Sequence, residues 1–159
     1  MFKRKIYDKM LQWKNESGGN TALLVEGARR IGKSTVVEEF AKNEYESYIL
    51  VDFATASKEV RELFDDVSDL NYLFLQLQLQ YRKDLHERRS VIIFDEVQLC
   101  PMARQAIKTL VKDHRYDYIE TGSLISIKKN VRDMVIPSEE RKVSMYPMAV
   151  SYTHLTLPT

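Results

Sequence analysis

Apolar residues recur at helical spacing from the start of the chain. Ile6, Met10 and Trp13 fall at i, i+4 and i+7, with Tyr7 and Leu11 beside them, and this predicts a helix over residues 4–16. Ser17-Gly18-Gly19-Asn20 breaks that pattern. Thr21-Ala22-Leu23-Leu24-Val25 is then apolar enough for a short buried strand, ended by Gly27. A second helix is predicted to open near Lys33, with Val36, Val37, Phe40 and Ala41 as its apolar stripe. Residues 48–53 read as a second strand, and residues 57–65 as a helix with Val60, Leu63 and Phe64 on one face.

Residues 70–81 fit two periods. Leu73, Leu75, Leu77, Leu79 and Tyr81 alternate as in a half-buried strand, whereas Leu70, Leu73, Phe74, Leu77 and Tyr81 form a helical stripe. Leu and Gln favour helix and the segment has no β-branched residue, so helix is the expectation. Val91-Ile92-Ile93-Phe94 is apolar on both faces, as a central parallel strand requires. Pro101 suits the first turn of the next helix, which carries Ala103, Ala106, Ile107 and Leu110. Residues 116–120 and 142–146 complete the set as a fourth and fifth strand. Strands alternating with helices predict an α/β fold: a parallel sheet covered by helices on both faces.

The 159 residues suit one domain, and 44% hydrophobic with 30% charged residues is the balance of a globular protein with a full core. A net charge of +1 gives no general attraction to nucleic acid or to an anionic membrane. The single cysteine, Cys100, excludes a disulfide within the chain and fits a reducing compartment. With no acid–base partner apparent, Cys100 reads as a small residue beyond a strand rather than a reactive thiol. The basic start, Met1-Phe2-Lys3-Arg4-Lys5, is not followed by the apolar run of a signal peptide, and no stretch approaches the ~18 apolar residues of a membrane span. A cytoplasmic protein without a membrane partner is expected.

The chemistry is concentrated in two places. Gly27-Ala28-Arg29-Arg30-Ile31-Gly32-Lys33-Ser34 matches G-x-x-x-x-G-K-[ST] in full, after an apolar strand and before an amphipathic helix. A triphosphate needs several donors converging on its oxygens. A loop that turns back on itself supplies backbone N–H groups, glycines permit close approach, and the helix that follows adds its free amides and dipole. Residues Gly27 to Thr35 are therefore the candidate ATP cradle: Lys33 carries charge to the β- and γ-phosphates, and the Ser34 hydroxyl is a ligand for Mg2+. Arg29 and Arg30 are expected to face outward or to meet a nearby acid, because backbone groups do the binding in such a loop.

The second place is Val91-Ile92-Ile93-Phe94-Asp95-Glu96, which has the form of a Walker B strand. Asp95, at the carboxyl end of a central strand, is the second candidate for Mg2+, and Glu96 is the candidate general base. Thr121, after the fourth strand, is placed to meet the γ-phosphate or the attacking water, with a plain turn at Gly122 as the competing reading. Gln98 is conspicuous without an assigned role. His86, His114 and His154 lack metal-ligand spacing and read as surface residues.

Residues 27–35, Val51-Asp52-Phe53, Ile93-Phe94-Asp95-Glu96-Val97-Gln98, Thr121-Gly122-Ser123 and residues 141–148 together resemble, in this order, the prokaryotic AAA-like P-loop ATPases. In that family the ATPase domain is followed by a winged-helix-like segment and a nuclease-like domain. The resemblance implies a three-layer P-loop fold with strand order 5-1-4-3-2. It also implies that Thr121 or Ser123 senses the γ-phosphate, and that Tyr146-Pro147-Met148 closes the fifth strand. It covers nearly all of residues 1–148, the expected ATPase domain; the Ser/Thr-rich residues 149–159 are expected to be an irregular tail left by a truncated or frame-disrupted gene. Arg141 reads as a surface arginine more readily than as an arginine finger.

Three functions are compatible with these residues. The first is an ATPase that drives movement in an attached domain, catalysed by Lys33, Glu96 and Thr121. The second is an ATP-sensing switch with little turnover. The third is a small-molecule kinase, disfavoured because Glu96 directly follows Asp95 and no arginine-rich lid is present. A GTPase is excluded by the lack of an Asn-Lys-x-Asp guanine reader. A homo-oligomer and a partner protein both remain open.

Overall fold

The computed structural model describes residues 2–27, 32–123 and 140–145. Its centre is three strands whose side chains are buried throughout: β1 (Ala22–Gly27), β3 (Ser90–Asp95) and β4 (Asp117–Ser123). Strands buried on both faces need helices above and below, and the connections supply them. On one face pack α1 (Phe2–Ser17) and α2 (Lys33–Glu44), closing a core of Ile6, Met10, Trp13, Leu23, Val25, Val37, Phe40 and Ile93. On the other pack α3 (Lys58–Glu62), α4 (Leu70–Tyr81) and α5 (Pro101–Asp113), closing a core that includes Leu24, Val51, Phe53, Phe64, Leu73, Leu77, Phe94 and Ile107. β2 (Ser47–Asp52) and β5 (Glu140–Met145) form the two edges.

All pairings are parallel and the order is β2-β3-β4-β1-β5. This is the expected order 5-1-4-3-2 read from the other edge. β4 is inserted between β1 and β3, so the carboxyl ends of these three parallel strands lie side by side at one end of the sheet, where ligands bind in open α/β folds.

Most element boundaries follow from local chemistry. Ser57 caps α3 by accepting from Val60 N at 3.3 Å, and Asp69 caps α4 by accepting from Tyr72 N at 3.1 Å. The helical reading of residues 70–81 holds: Leu73, Phe74 and Leu77 are buried while Leu75 and Leu79 face out.

Two strand boundaries differ from expectation. β4 continues through Thr121-Gly122-Ser123, because Val25, Glu26 and Gly27 of β1 pair with these residues. Gly122 is therefore a strand residue and not a turn, and Thr121 lies inside the strand rather than after it. β5 begins at Glu140, earlier than its apolar pattern indicates. Glu140 and Arg141 look too polar to start a strand, but Arg104 of α5 reaches Glu140 with Nη2–Oε1 at 2.8 Å, and Arg141 meets Glu16 of α1 at 2.8 Å. Tyr146-Pro147-Met148 and residues 149–159 lie outside the described residues.

Candidate functional site

β1 ends at Gly27 and α2 begins after Gly32, which adopts the left-handed conformation (φ 87°, ψ 18°) that costs a residue with a Cβ. Gly32 offers no side chain to cap the helix, and the first turn of α2 has no acidic residue. The first turn of α2 thus carries no carboxylate of its own to offset the positive end of the helix dipole, which favours receiving an anion there. Lys33 is buried at 3% exposure, and its Nζ donates to the Gly27 carbonyl at 3.2 Å. The ammonium is folded back toward the end of β1. Ala28, Arg29, Arg30 and Ile31 lie outside the described residues. Thr35 is in the first turn of α2 and exposed.

Three elements meet at Asp95. Its Oδ1 accepts from the Ser34 hydroxyl of α2 at 2.7 Å and from the Thr121 hydroxyl of β4 at 2.5 Å. Asp95 is the last residue of β3 and only 6% exposed. Burial, the largest influence, raises its carboxyl above the ordinary range, and the negative charges of Asp52 and Glu96 add to this; the hydrogen bonds from Thr121 and Ser34 oppose it. A buried carboxylate with elevated proton affinity and a hydroxyl beside it is a hard-oxygen donor pair suited to a cation. Among the described residues no group of three or more His, Cys, Asp or Glu could hold a metal by itself.

Glu96 follows in the left-handed region (φ 55°, ψ 51°), uncommon for a residue with a side chain. Two contacts surround it: its amide donates to Thr121 Oγ1 at 3.0 Å, and its Oε1 accepts from Gln98 Nε2 at 2.7 Å. Thr121 thus joins both acids, donating to one and accepting from the backbone of the next. Ser123, the alternative sensor, is buried and lies opposite Gly27 in the β1–β4 register.

The structure brings Gly27, Gly32, Lys33, Ser34, Asp95, Glu96 and Thr121 to one end of the sheet. It keeps Arg141 elsewhere, on an edge strand and paired with Glu16. His86 is half-buried with Nε2 at 3.9 Å from Glu46, His114 ends α5 in an exposed position, and His154 lies outside the described residues. Cys100 is buried, which raises its thiol above the ordinary range, consistent with an unreactive residue. Two contributors escaped the residue-by-residue reading. Asp52 ends β2 directly opposite Asp95, so its charge is felt there; its position in Val-Asp-Phe, at the end of an apolar run like that of Asp95, was the available signal. Arg61 donates to the carbonyls of Phe53, Ala56 (3.4 Å) and Leu99 (2.9 Å), tying α3 to the end of β2 and to the 3-10 turn Val97–Leu99 that follows Glu96. Nothing in the sequence near Arg61 announces that role.

The sequence matches the AAA domain family over residues 19–153. No curated protein matches the chain. Among the solved structures that the chain matches is "Structure of C. elegans PCH-2", at 13% identity and a TM-score of 0.45, covering 89% of this chain and 42% of that one. The present chain therefore spans less than half of that protein's chain.

Proposed function

Because the chain belongs to the AAA domain family, an ATPase type of nucleotide-binding domain, we propose that it binds ATP with Mg2+ and hydrolyses it to move an attached domain. The observation that carries this reading is the convergence on Asp95: hydroxyls from α2 and β4 reach one carboxylate oxygen at 2.7 and 2.5 Å, beside a helix start with neither side-chain cap nor acid. We place the ATPase domain at residues 1–148.

In this proposal the backbone of Gly27–Thr35 and the α2 amides bind the phosphates, and Lys33 adds the full positive charge. Lys33 must release the Gly27 carbonyl to do so, and that carbonyl holds it close to the loop beforehand. Ser34 and Asp95 hold the metal, which when bound neutralises charge on the phosphate oxygens. Glu96 accepts a proton from the attacking water. Thr121 orients that water or contacts the terminal phosphate, and through its bond to the Glu96 amide keeps the base in register with Asp95.

The alternative, an ATP-sensing switch with little turnover, has one observation in its favour. Oε1 of Glu96 already accepts from the Gln98 amide at 2.7 Å, which stabilises the ionised carboxylate and makes it a weaker base. A single-turnover assay comparing ATP bound with phosphate released separates the two.

Binding itself is tested by thermal unfolding with and without Mg-ATP. ATP at a hundredfold its dissociation constant stabilises the wild type by about 2.7 kcal/mol, and Lys33→Ala abolishes the response. Equal responses from both proteins would remove Gly27–Thr35 from the assignment.

A further inference from the structure

Helix α4 is apolar on two sides. Its inner face, Leu73, Phe74 and Leu77, is buried in the core, yet Tyr72, Leu75 and Leu79 stand out at i, i+3 and i+7 with exposures of 55%, 52% and 63%. From Leu70 to Tyr81 it carries no charged residue. A surface helix covered on one side ordinarily turns charged residues to the other. Beside the exposed line runs a groove of about 560 Å³ between α3 and α4, floored by Tyr72, Gln76 and Gln80 and walled by Glu59, Glu62 and Asp66. Asp65 and Asp69 add to the negative charge of the same segment and are exposed. Of the two cations on α3, Arg61 is turned inward to the carbonyls of Phe53, Ala56 and Leu99, which leaves the exposed Lys58 against the acids Glu59, Glu62, Asp65, Asp66 and Asp69.

We propose that the α3–α4 face is a docking surface for a basic amphipathic helix of a partner protein, whose apolar stripe lies along Tyr72, Leu75 and Leu79 and whose lysines or arginines enter the acidic groove. The pairing follows the helix-in-groove mode, with apolar anchors supplying contact and charge complementarity supplying orientation and on-rate. A second copy of this chain is a poorer occupant. Among the residues whose side chains are described, the exposed cations at the start of α1, Arg4, Lys5 and Lys9, have no large exposed apolar side chain beside them. The other large exposed hydrophobics among the described residues are Leu99, whose carbonyl accepts from Arg61 of the same acidic segment, and Met102. Two α4 faces brought together would also bring their acidic walls together.

The test uses the whole chain and two fluorescein-labelled synthetic helical peptides of about five turns. Both have leucines at i, i+3 and i+7; one has lysines along the flanks and its twin has glutamates. Fluorescence anisotropy is expected to show binding of the lysine peptide and at least about tenfold weaker binding of its twin. Leu75→Ser/Leu79→Ser and, independently, Glu62→Lys/Asp66→Lys each weaken the lysine peptide by about tenfold or more, while Glu39→Lys, on exposed α2 surface away from the groove, leaves it unchanged. Equal binding of the two peptides would overturn the proposal, as would equal loss in all three variants. Concentration-dependent self-association that disappears in Leu75→Ser/Leu79→Ser would also overturn it, by assigning the face to a second copy.

Discussion

Single residues decide the chemistry at this site, and Asp95 shows how. Burial raises its carboxyl above the ordinary 3.8, so the folded state binds its proton more tightly than the unfolded chain. Its contribution to stability is complete at pH values below 3.8 and is lost as pH rises through the raised value, leaving a costly buried carboxylate at neutral pH. Asp95→Asn removes that charge and retains an oxygen for Ser34 and Thr121. The ligand-free variant should therefore melt higher than wild type at pH 7, by about 2–4 °C for each kcal/mol recovered, while the magnesium dependence of nucleotide binding falls more than binding in EDTA. Calorimetric scans and titrations with and without the metal check both halves. Glu96→Gln keeps ATP affinity and, in an assembly that turns over, lowers the single-turnover rate by roughly 10²–10⁴. These residues were legible because each stands at a fixed offset from a strand or glycine. Gln98 and Asp52 were visible without a role, since their roles depend on an Oε1 contact and on a register that no local pattern specifies.

Elements are governed by period and caps, and α4 is where the sequence supported two answers. Alternate leucines at 73, 75, 77 and 79 satisfy a strand as well as a helix. The helix sends Leu73 and Leu77 into the core and Leu75 and Leu79 outward. Leu77→Ala should destabilise the chain by about 2–5 kcal/mol and Leu79→Ala by no more than about 0.5 kcal/mol, measured by urea unfolding. Equal costs for the two would fit a strand with both on one face and would contradict the helix. The missed boundary of β5 has the opposite cause. Its first residue is an acid whose partner, Arg104, lies 36 positions earlier, so local polarity argued against a strand that a distant guanidinium makes possible.

At the scale of the whole molecule, that same pair ties an edge strand to the α5 layer. Arg104 and Glu140 meet at 2.8 Å with side chains 0% and 1% exposed, and the fully buried Glu120 stands beside them. Burial, followed by the charge and hydrogen-bonding influence of Glu140, holds the Glu120 carboxyl well above the ordinary 4.5. Burial acts on Glu140 in the same direction but is outweighed by Glu120 and Arg104, so Glu140 is held below its ordinary range. Of the two, Glu120 favours holding a proton and Glu140 favours its charge. Arg104→Ala leaves an unpaired buried carboxylate and should cost about 3–5 kcal/mol. Glu120→Gln mimics the neutral acid and should match wild type to within about 1 kcal/mol only below pH 4.5, and should be the more stable of the two at pH 7. It should also remove the loss of stability that wild type suffers as pH rises from 4.5 through the raised Glu120 value. Unfolding curves across pH check both variants.

The sequence by itself determined what short-range physics controls. Periodicity set most of the helices and the buried strands, helix propensity settled α4, the glycines of Gly27 to Ser34 marked the passage from β1 into α2, and acids after an apolar run marked the end of β3. Such signals survive in one dimension because they depend on neighbours within about one turn or one pleat. The sheet order was reached through likeness to a family rather than from spacing. Only the tertiary structure decided that Thr121 lies within a strand and bridges Asp95 and Glu96, that Asp52 faces Asp95, and that Arg61 straps α3 to the rim of the site. It also decided that Arg104, Glu120 and Glu140 share one buried charge network. Each of these joins residues far apart in the chain, and their energies depend on burial and register, which exist only once the sheet has formed.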